Sequence, residues 1–151
     1  MASSDQRVVV GVDDSSNARR ALGWALEEAA LLGVELDVVH VYSLPVILMP
    51  APVAAPTIDP DDYKRAATDL LQRLTSEAVA VATRRPPAIQ QIAVDGQPAR
   101  TLVTCSKPGD RLVVGSRGRG AVSSVLLGSV SHYCVHHAQC PVVVVPPGSE
   151  A

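Results

Sequence analysis

The residues best suited to chemistry lie in a Gly- and Ser-rich stretch, GSRGRGAVSSVLLGS, at 115–129. It holds two groups of potential hydrogen-bond donors: Gly115 and Gly118 come first, and Gly128 and Ser129 follow after an interval of nine residues. Glycine lets backbone N–H groups approach an anion without a Cβ in the way. A helix beginning at the second group would add unpaired N–H donors and the positive end of its dipole. The spacing favours a phosphate site; a plain connection between two buried elements is the alternative.

Polar side chains near these glycines could assist. The Ser129 and Ser131 hydroxyls can each donate one hydrogen bond to a phosphate oxygen. Arg117 and Arg119 could pair with phosphates or could simply be solvated. The stretch lacks both G-x-x-x-x-G-K-[ST] and G-x-G-x-x-G, so the Walker loop and the dinucleotide-binding loop are excluded.

The other candidate side chains give little indication of a catalytic site. Asp13 ends the first apolar run, where it could contact a ligand or cap the next helix. His132 and His136, four residues apart, share a helix face and His137 follows them, but no Cys or carboxylate lies obviously beside these histidines, so no metal site is predicted. No general base, nucleophile or arginine finger is identifiable. We therefore predict no catalytic residues and at most slow hydrolysis of a bound nucleotide.

The elements that position these residues alternate regularly. Strands are predicted at 7–13, 34–42, 88–96, 110–116 and 140–147, and helices at 15–33, 61–85, 97–107 and about 123–137. Five strands and four helices in alternation predict an α/β fold, a Rossmann-like open doubly wound sheet of five parallel strands in a single domain, 1–151. Ligands of such sheets bind at the carboxyl ends of the strands, near the point where strand order reverses.

Several local features refine this scheme. Ser15 or Ser16 can cap the first helix and Gly33 can end it, while Arg84 and Arg85 are expected in the last turn of the second helix. The Val-Leu-Leu run at 125–127 is expected to fold the second donor group back beside the first. Residues 43–60 contain five prolines and few charges, which predicts a long irregular connection with an apolar tip.

Composition limits the classes of partner. The chain has 151 residues, no Phe and a formal net charge of -2, which predicts an aliphatic core and no attraction to nucleic acid or an anionic membrane. No apolar stretch approaches about 20 residues, and no secretory signal is visible. Three cysteines form no CxxC pair, which is typical of reduced thiols. A cytoplasmic location is expected.

The chain resembles the universal stress protein family. The resemblance is carried by GVDDS at 11–15, HVY at 40–42, GQPARTLV at 96–103, and VVGSRGRGAVSSVLLGSVSHYCVHHAQCPVVVV at 113–145. Its most specific part is G-x2-G-x9-G-[ST], the pattern of the ATP-binding branch. The resemblance implies a stress sensor or regulator that binds an adenine nucleotide, with ATP expected ahead of AMP or cAMP. It also implies a homodimer formed through the last strand, 140–145.

The resemblance also assigns site residues. It implies that the glycines and Ser129 hold phosphates, with Val130 and Ser131 as the next donors, and that Asp13 contacts ribose or adenine. Apolar residues would line the base. The nucleotide-binding residues expected are Gly11, Val12, Asp13, Val41, Val114, Gly115, Arg117, Gly118, Gly128, Ser129, Val130 and Ser131.

One departure from the family concerns Asp14, which stands where many members have Gly. A second carboxylate would repel a triphosphate unless Mg²⁺ intervenes or Asp14 points away. Two other functions remain open: a nucleotide-independent interaction module that uses the loop 43–60, and a weak nucleotide hydrolase that depends on Asp13 or Asp14.

Overall fold

The structure is a computed structural model that describes residues 5–50, 53–54, 56–119, 124 and 126–149. Strands and helices alternate along the chain as predicted. They are β1 (Arg7–Gly11), α1 (Ser16–Leu32), β2 (Glu35–Tyr42), α2 (Pro60–Val81), β3 (Ile89–Asp95), α3 (Pro98–Cys105), β4 (Arg111–Gly115), α4 (Ser129–His137) and β5 (Val142–Val145). Of the described part of the chain, no helix is both long and apolar enough to cross a membrane.

The five strands form one parallel sheet in the order β3-β2-β1-β4-β5. The central strand β1 pairs with β2 on one side and with β4 on the other, with Val10 opposite both Val38 and Val113. The chain therefore moves outward in one direction after β1 and in the other after β4. The carboxyl ends of these two strands flank the reversal point, where such sheets bind ligands. The predicted fold class is confirmed.

Aliphatic side chains cover both faces of the sheet. Val8 and Val10 face α1 and α2, where they pack with Leu22, Leu26 and further buried residues. Val9 faces the opposite side and joins the core beneath α3 and α4. Because successive strand residues point to opposite faces, a run of valines can serve both cores at once.

The limits of α1 follow the expected signals. Ser15 is the N-cap, and its hydroxyl accepts a hydrogen bond from the amide of Ala18 at 3.1 Å. Gly33 ends the helix in the left-handed conformation, with φ of 67°, which glycine adopts at low cost. The prediction for this helix is confirmed.

The second helix is shorter than predicted. It ends at Val81, so Arg84 and Arg85 lie beyond its last turn rather than in it. The Glu27 carboxylate on α1 accepts hydrogen bonds from the amide and hydroxyl of Thr83, each at 2.9 Å. These bonds tie the chain to α1, and they lower the pKa of Glu27, the amide bond most strongly. The chain just beyond α2 is therefore tied to α1 by a contact between segments distant in sequence.

The fourth helix begins later than predicted. It starts at Ser129, whereas the expected start near Ser123 lies outside the described residues. Leu126 is 87% exposed and Leu127 is half-buried, while Val125 lies outside the described residues. The expectation that this run folds the second donor group back beside the first stays a prediction, and a main-chain hydrogen bond from Gly128 to Ser116 also holds the group there.

At the opposite end of the sheet, Arg7 joins two buried carboxylates. Its guanidinium lies 2.5 Å from Asp37 and 3.2 Å from Asp110. The Asp37 Oδ1 atom is buried and has no hydrogen-bond partner among the described residues. Burial raises the pKa of Asp37 above its usual range, against the lowering effect of Arg7.

Candidate functional site

A cleft of about 670 Å³ lies at the carboxyl edge of the sheet. It opens where β1 and β4 end, which is the position expected from the strand order. All twelve residues expected to bind nucleotide line this cleft. They are Gly11, Val12, Asp13, Val41, Val114, Gly115, Arg117, Gly118, Gly128, Ser129, Val130 and Ser131.

Main-chain hydrogen bonding brings the two donor groups together. The Gly128 amide donates to the Ser116 carbonyl at 2.6 Å, which ties the start of α4 to the end of β4. A Cβ added to Gly128 would lie 3.8 Å from the Gly118 nitrogen. The first turn of α4 therefore begins beside the first glycine group, and its unpaired N–H groups border the cleft.

The hydroxyl of Ser131 strengthens this connection. Ser131 is 1% exposed, and its Oγ donates to the carbonyls of Ser116 at 3.0 Å and Gly128 at 3.1 Å. The Ser131 hydroxyl thus donates to carbonyls of the protein, whereas the sequence led us to expect that it donates to a phosphate. Ser129, the first residue of α4, is exposed at the cleft.

Asp13 organises the turn after β1. Its Oδ1 accepts from the Ser15 amide at 2.9 Å, and its Oδ2 accepts from the Arg119 amide at 3.2 Å. A Cβ on Gly118 would lie 3.1 Å from Oδ2, closer than most Cβ atoms approach a neighbour. Asp13 therefore links the two loops while it lines the cleft.

Asn17 was missed by sequence reasoning, although it holds the same loop. Its Oδ1 accepts from the Arg117 amide at 2.8 Å and from the Ser116 hydroxyl at 3.3 Å. Its Nδ2 donates to the Val145 carbonyl at 3.0 Å. One buried amide side chain thus joins α1, β5 and the loop after β4. The sequence carried one signal for this role: Asn17 is a polar residue on the apolar face of the predicted helix, one position before Ala18.

Further lining residues come from α1, from β2 and the residue after it, from α3, and from the Gly- and Ser-rich stretch 115–129. They are Ala18, Val39, His40, Tyr42, Ser43, Pro98, Leu102, Arg119 and Leu127. Their position depends on how the elements pack, so their spacing carried little signal. His40 Nδ1 lies 2.8 Å from the Val12 carbonyl, which can only accept, so this nitrogen is the donor.

An ion pair lies beside the cleft. Arg119 Nε lies 3.1 Å from Asp14 Oδ1. The Asp14 carbonyl in turn accepts from Arg19 Nη1 at 2.7 Å. The Asp14 carboxylate, which was expected to repel a triphosphate, therefore has a cationic partner. Asp14 is not among the residues that line the cleft.

The histidines on α4 lie in two ring contacts. His132 and His136 have ring centroids 4.6 Å apart, and Tyr133 stacks on His137 at 4.0 Å. Across the described ranges, no three His, Cys, Asp or Glu side chains are grouped closely enough to hold a metal ion.

The cleft thus combines two kinds of surface. Backbone donors and arginines surround the glycine groups, while Val12, Val41 and Val114 provide an apolar wall. The polar part can bind an anion, and the apolar part can hold a flat ring.

Sequence comparison identifies relatives that align with almost the entire chain. A sequence model described as the Universal stress protein family matches residues 6–146. A universal stress protein of Mycolicibacterium smegmatis is 32% identical over 99% of this chain and 51% of its own. One of Mycobacterium tuberculosis is 34% identical over 91% of this chain and 47% of its own. The chain therefore spans about half the length of these curated relatives.

Solved structures agree with the fold. The universal stress protein UspA from Lactobacillus plantarum superposes with a TM-score of 0.75 at 26% identity, covering 93% of this chain and 97% of the other. A universal stress protein solved in complex with cAMP gives a TM-score of 0.70 at 26% identity, covering 95% and 98%.

Proposed function

The chain belongs to the universal stress protein family, and from this premise and the geometry of the cleft we propose that it binds an adenine nucleotide at the carboxyl edge of its sheet. ATP is the expected ligand, with AMP or cAMP as smaller alternatives. The observation that carries the proposal is that both donor groups of the glycine motif line one cleft with the apolar wall. The related protein solved with cAMP supports the choice of adenine.

The phosphates would lie against the polar half of the cleft. Gly115 and Gly118 bring the loop backbone close to Asn17 and Asp13, since a Cβ at either glycine would lie within 3.1 Å of one of these side chains. The amides at the start of α4 and the exposed Ser129 hydroxyl would donate to phosphate oxygens. Mg²⁺ would accompany ATP at this half, where the Asp13 carboxylate lines the cleft and oxygen ligands suit that ion.

The base would lie against the apolar half. Val12 and Val114 are buried at the ends of β1 and β4, and Val41 extends the wall along β2. The Asp13 carboxylate, which lines the same cleft, would accept a hydrogen bond from the ribose.

The proposed role is regulatory. A bound nucleotide would report cellular state to partners, with at most slow hydrolysis, in keeping with the sequence prediction of no catalytic residues. The free thiols of Cys105, Cys134 and Cys140 fit a reducing, cytoplasmic setting. A second copy would pair along β5, which lies at one edge of the sheet.

Calorimetric titration with ATP, with and without Mg²⁺, tests the proposal. We expect saturable binding in the micromolar to low-millimolar range, and we expect Gly118→Ala to weaken it about tenfold by crowding Asp13. Gly23→Ala is the matched control, because a Cβ there meets nothing within 4 Å. Absence of binding to the wild-type protein would refute the proposal, and unchanged affinity in Gly118→Ala would make the loop merely structural.

A second candidate function rests on the connection between β2 and α2. Val46 and Leu48 in this segment are 85% and 90% exposed, and Ile47 and Met49 beside them are also exposed, so the loop presents a run of apolar side chains rather than single ones. Such a loop could hold a partner protein without nucleotide. Partner binding that is lost in Leu48→Ser but indifferent to ATP and to Gly118→Ala would favour this function.

A further inference from the structure

We propose that Asp14 and Arg119 form a charge latch that sets how strongly the cleft discriminates ATP from AMP. The inference rests on the proposed nucleotide site and concerns its selectivity. It starts from the 3.1 Å contact between Arg119 Nε and Asp14 Oδ1.

The latch lies at the phosphate half of the cleft. Arg119 lines the cleft, and its amide is held by Asp13 Oδ2 at 3.2 Å. The backbone of Arg119 is therefore tethered beside the glycine groups, while its side chain turns to Asp14. The guanidinium can exchange that carboxylate for a phosphate without moving its own main chain.

The exchange is easy because the pair is exposed. The side chains of Arg119 and Asp14 are 73% and 42% exposed, and ion pairs at such positions contribute little stability. A phosphate carrying several charges can compete for the arginine, whereas a monophosphate bound deeper in the cleft competes less.

The charges around this half of the cleft balance. Asp13 and Asp14 carry two negative charges, and Arg117 and Arg119 carry two positive ones. The side-chain charges therefore add no net attraction for a triphosphate until the latch opens, and opening it leaves the Asp14 carboxylate, just outside the cleft lining, without Arg119. The carboxylate thus penalises ATP both by holding Arg119 and by repulsion.

The test is a double-mutant cycle on the ratio of ATP to AMP affinity, measured by calorimetry without Mg²⁺. Asp14→Asn should raise this ratio about tenfold in the wild-type background, because it frees Arg119 and removes a negative charge. In the Arg119→Gln background the same change should raise the ratio only about threefold, because repulsion alone is relieved. Asp14→Ser provides a second variant should Asp14→Asn fold poorly.

Asp62→Asn is the matched control. Asp62 pairs with Arg65 at 2.9 Å in a similarly exposed ion pair that does not line the cleft, so its removal should leave the ratio unchanged. Equal effects of Asp14→Asn in both backgrounds, or an equal effect of Asp62→Asn, would overturn the latch while leaving nucleotide binding intact. If the wild-type protein binds neither nucleotide, the proposed function fails, and the latch with it.

Discussion

The side-chain oxygen of Asn17 accepts a 2.8 Å hydrogen bond from the backbone amide of Arg117. The two residues are 100 positions apart in the chain, and the contact fixes the loop after β4 against the first turn of α1. A loop held at its backbone keeps its remaining donors aimed into the cleft before any ligand arrives, which reduces the ordering cost of binding.

Asn17→Ala tests this preorganisation. The change leaves the Arg117 amide and the Val145 carbonyl without their partner in a buried setting, so the free energy of unfolding should fall by about 1–3 kcal/mol. Urea denaturation measures this loss, and calorimetry should also show weaker nucleotide binding. Ser16→Ala, at an exposed neighbouring position, is the control and should change neither quantity appreciably. Wild-type stability in Asn17→Ala would contradict the assigned role.

Ser129 and Ser131 should behave oppositely on substitution. Ser131→Ala removes a buried hydroxyl that donates to two carbonyls, so the free energy of unfolding should fall by about 1–2 kcal/mol. Ser129→Ala removes an exposed hydroxyl at the start of α4, so stability should change little while ATP affinity falls severalfold. Thermal unfolding and ATP titration of both variants separate the roles, and the reverse pattern would show that the hydroxyls were assigned wrongly.

Asp37 should make stability depend on pH. Burial raises the pKa of its carboxyl in the folded protein above the ordinary 3.8. The stability that the protonated Asp37 carboxyl contributes to the folded protein is therefore fully present below pH 3.8. This contribution is lost as the pH rises through the higher pKa that the carboxyl has in the folded protein. The free energy of unfolding of the wild type, relative to Asp37→Asn, should decline across that interval.

Denaturant titrations of both proteins from about pH 3.5 to pH 7 measure this difference. Subtracting the two free energies of unfolding cancels the contributions of groups that titrate alike in both proteins. A difference that rises with pH would mean that Arg7, 2.5 Å away, outweighs the effect of burial.

The proposed dimer can be tested at one edge position. The carbonyls of Pro141 and Val145 accept from Leu112 and Ser116 on β4, so alternation along the strand directs the Val144 amide outward. Val144→Pro removes this outward donor and leaves the inner ladder intact. Light scattering coupled to gel filtration should then report monomers where the wild type is dimeric. A dimer that persists in Val144→Pro would exclude pairing along β5.

The alternation of elements could be read from sequence because local signals are strong here. Valine runs, the Ser15 cap and the Gly33 stop each act within a few residues, and the structure confirms them. The contact that holds the chain after α2 could not be read in this way, because it joins Thr83 to Glu27 on α1, 56 positions away. The start of α4 likewise depends on the Ser116 carbonyl at the end of β4.

The sequence by itself determined the doubly wound fold and the two donor groups of the glycine motif, since both depend on residue types and short intervals. Only the tertiary structure decided how these groups meet. Ser131 turns its hydroxyl toward the Ser116 carbonyl, 15 residues away. Asn17 supports the loop after β4, and Asp14 pairs with Arg119, through contacts between segments 100 or more residues apart. The physical reason is the strand order, which places β1 beside β4 and so brings the residues after each strand to one edge of the sheet.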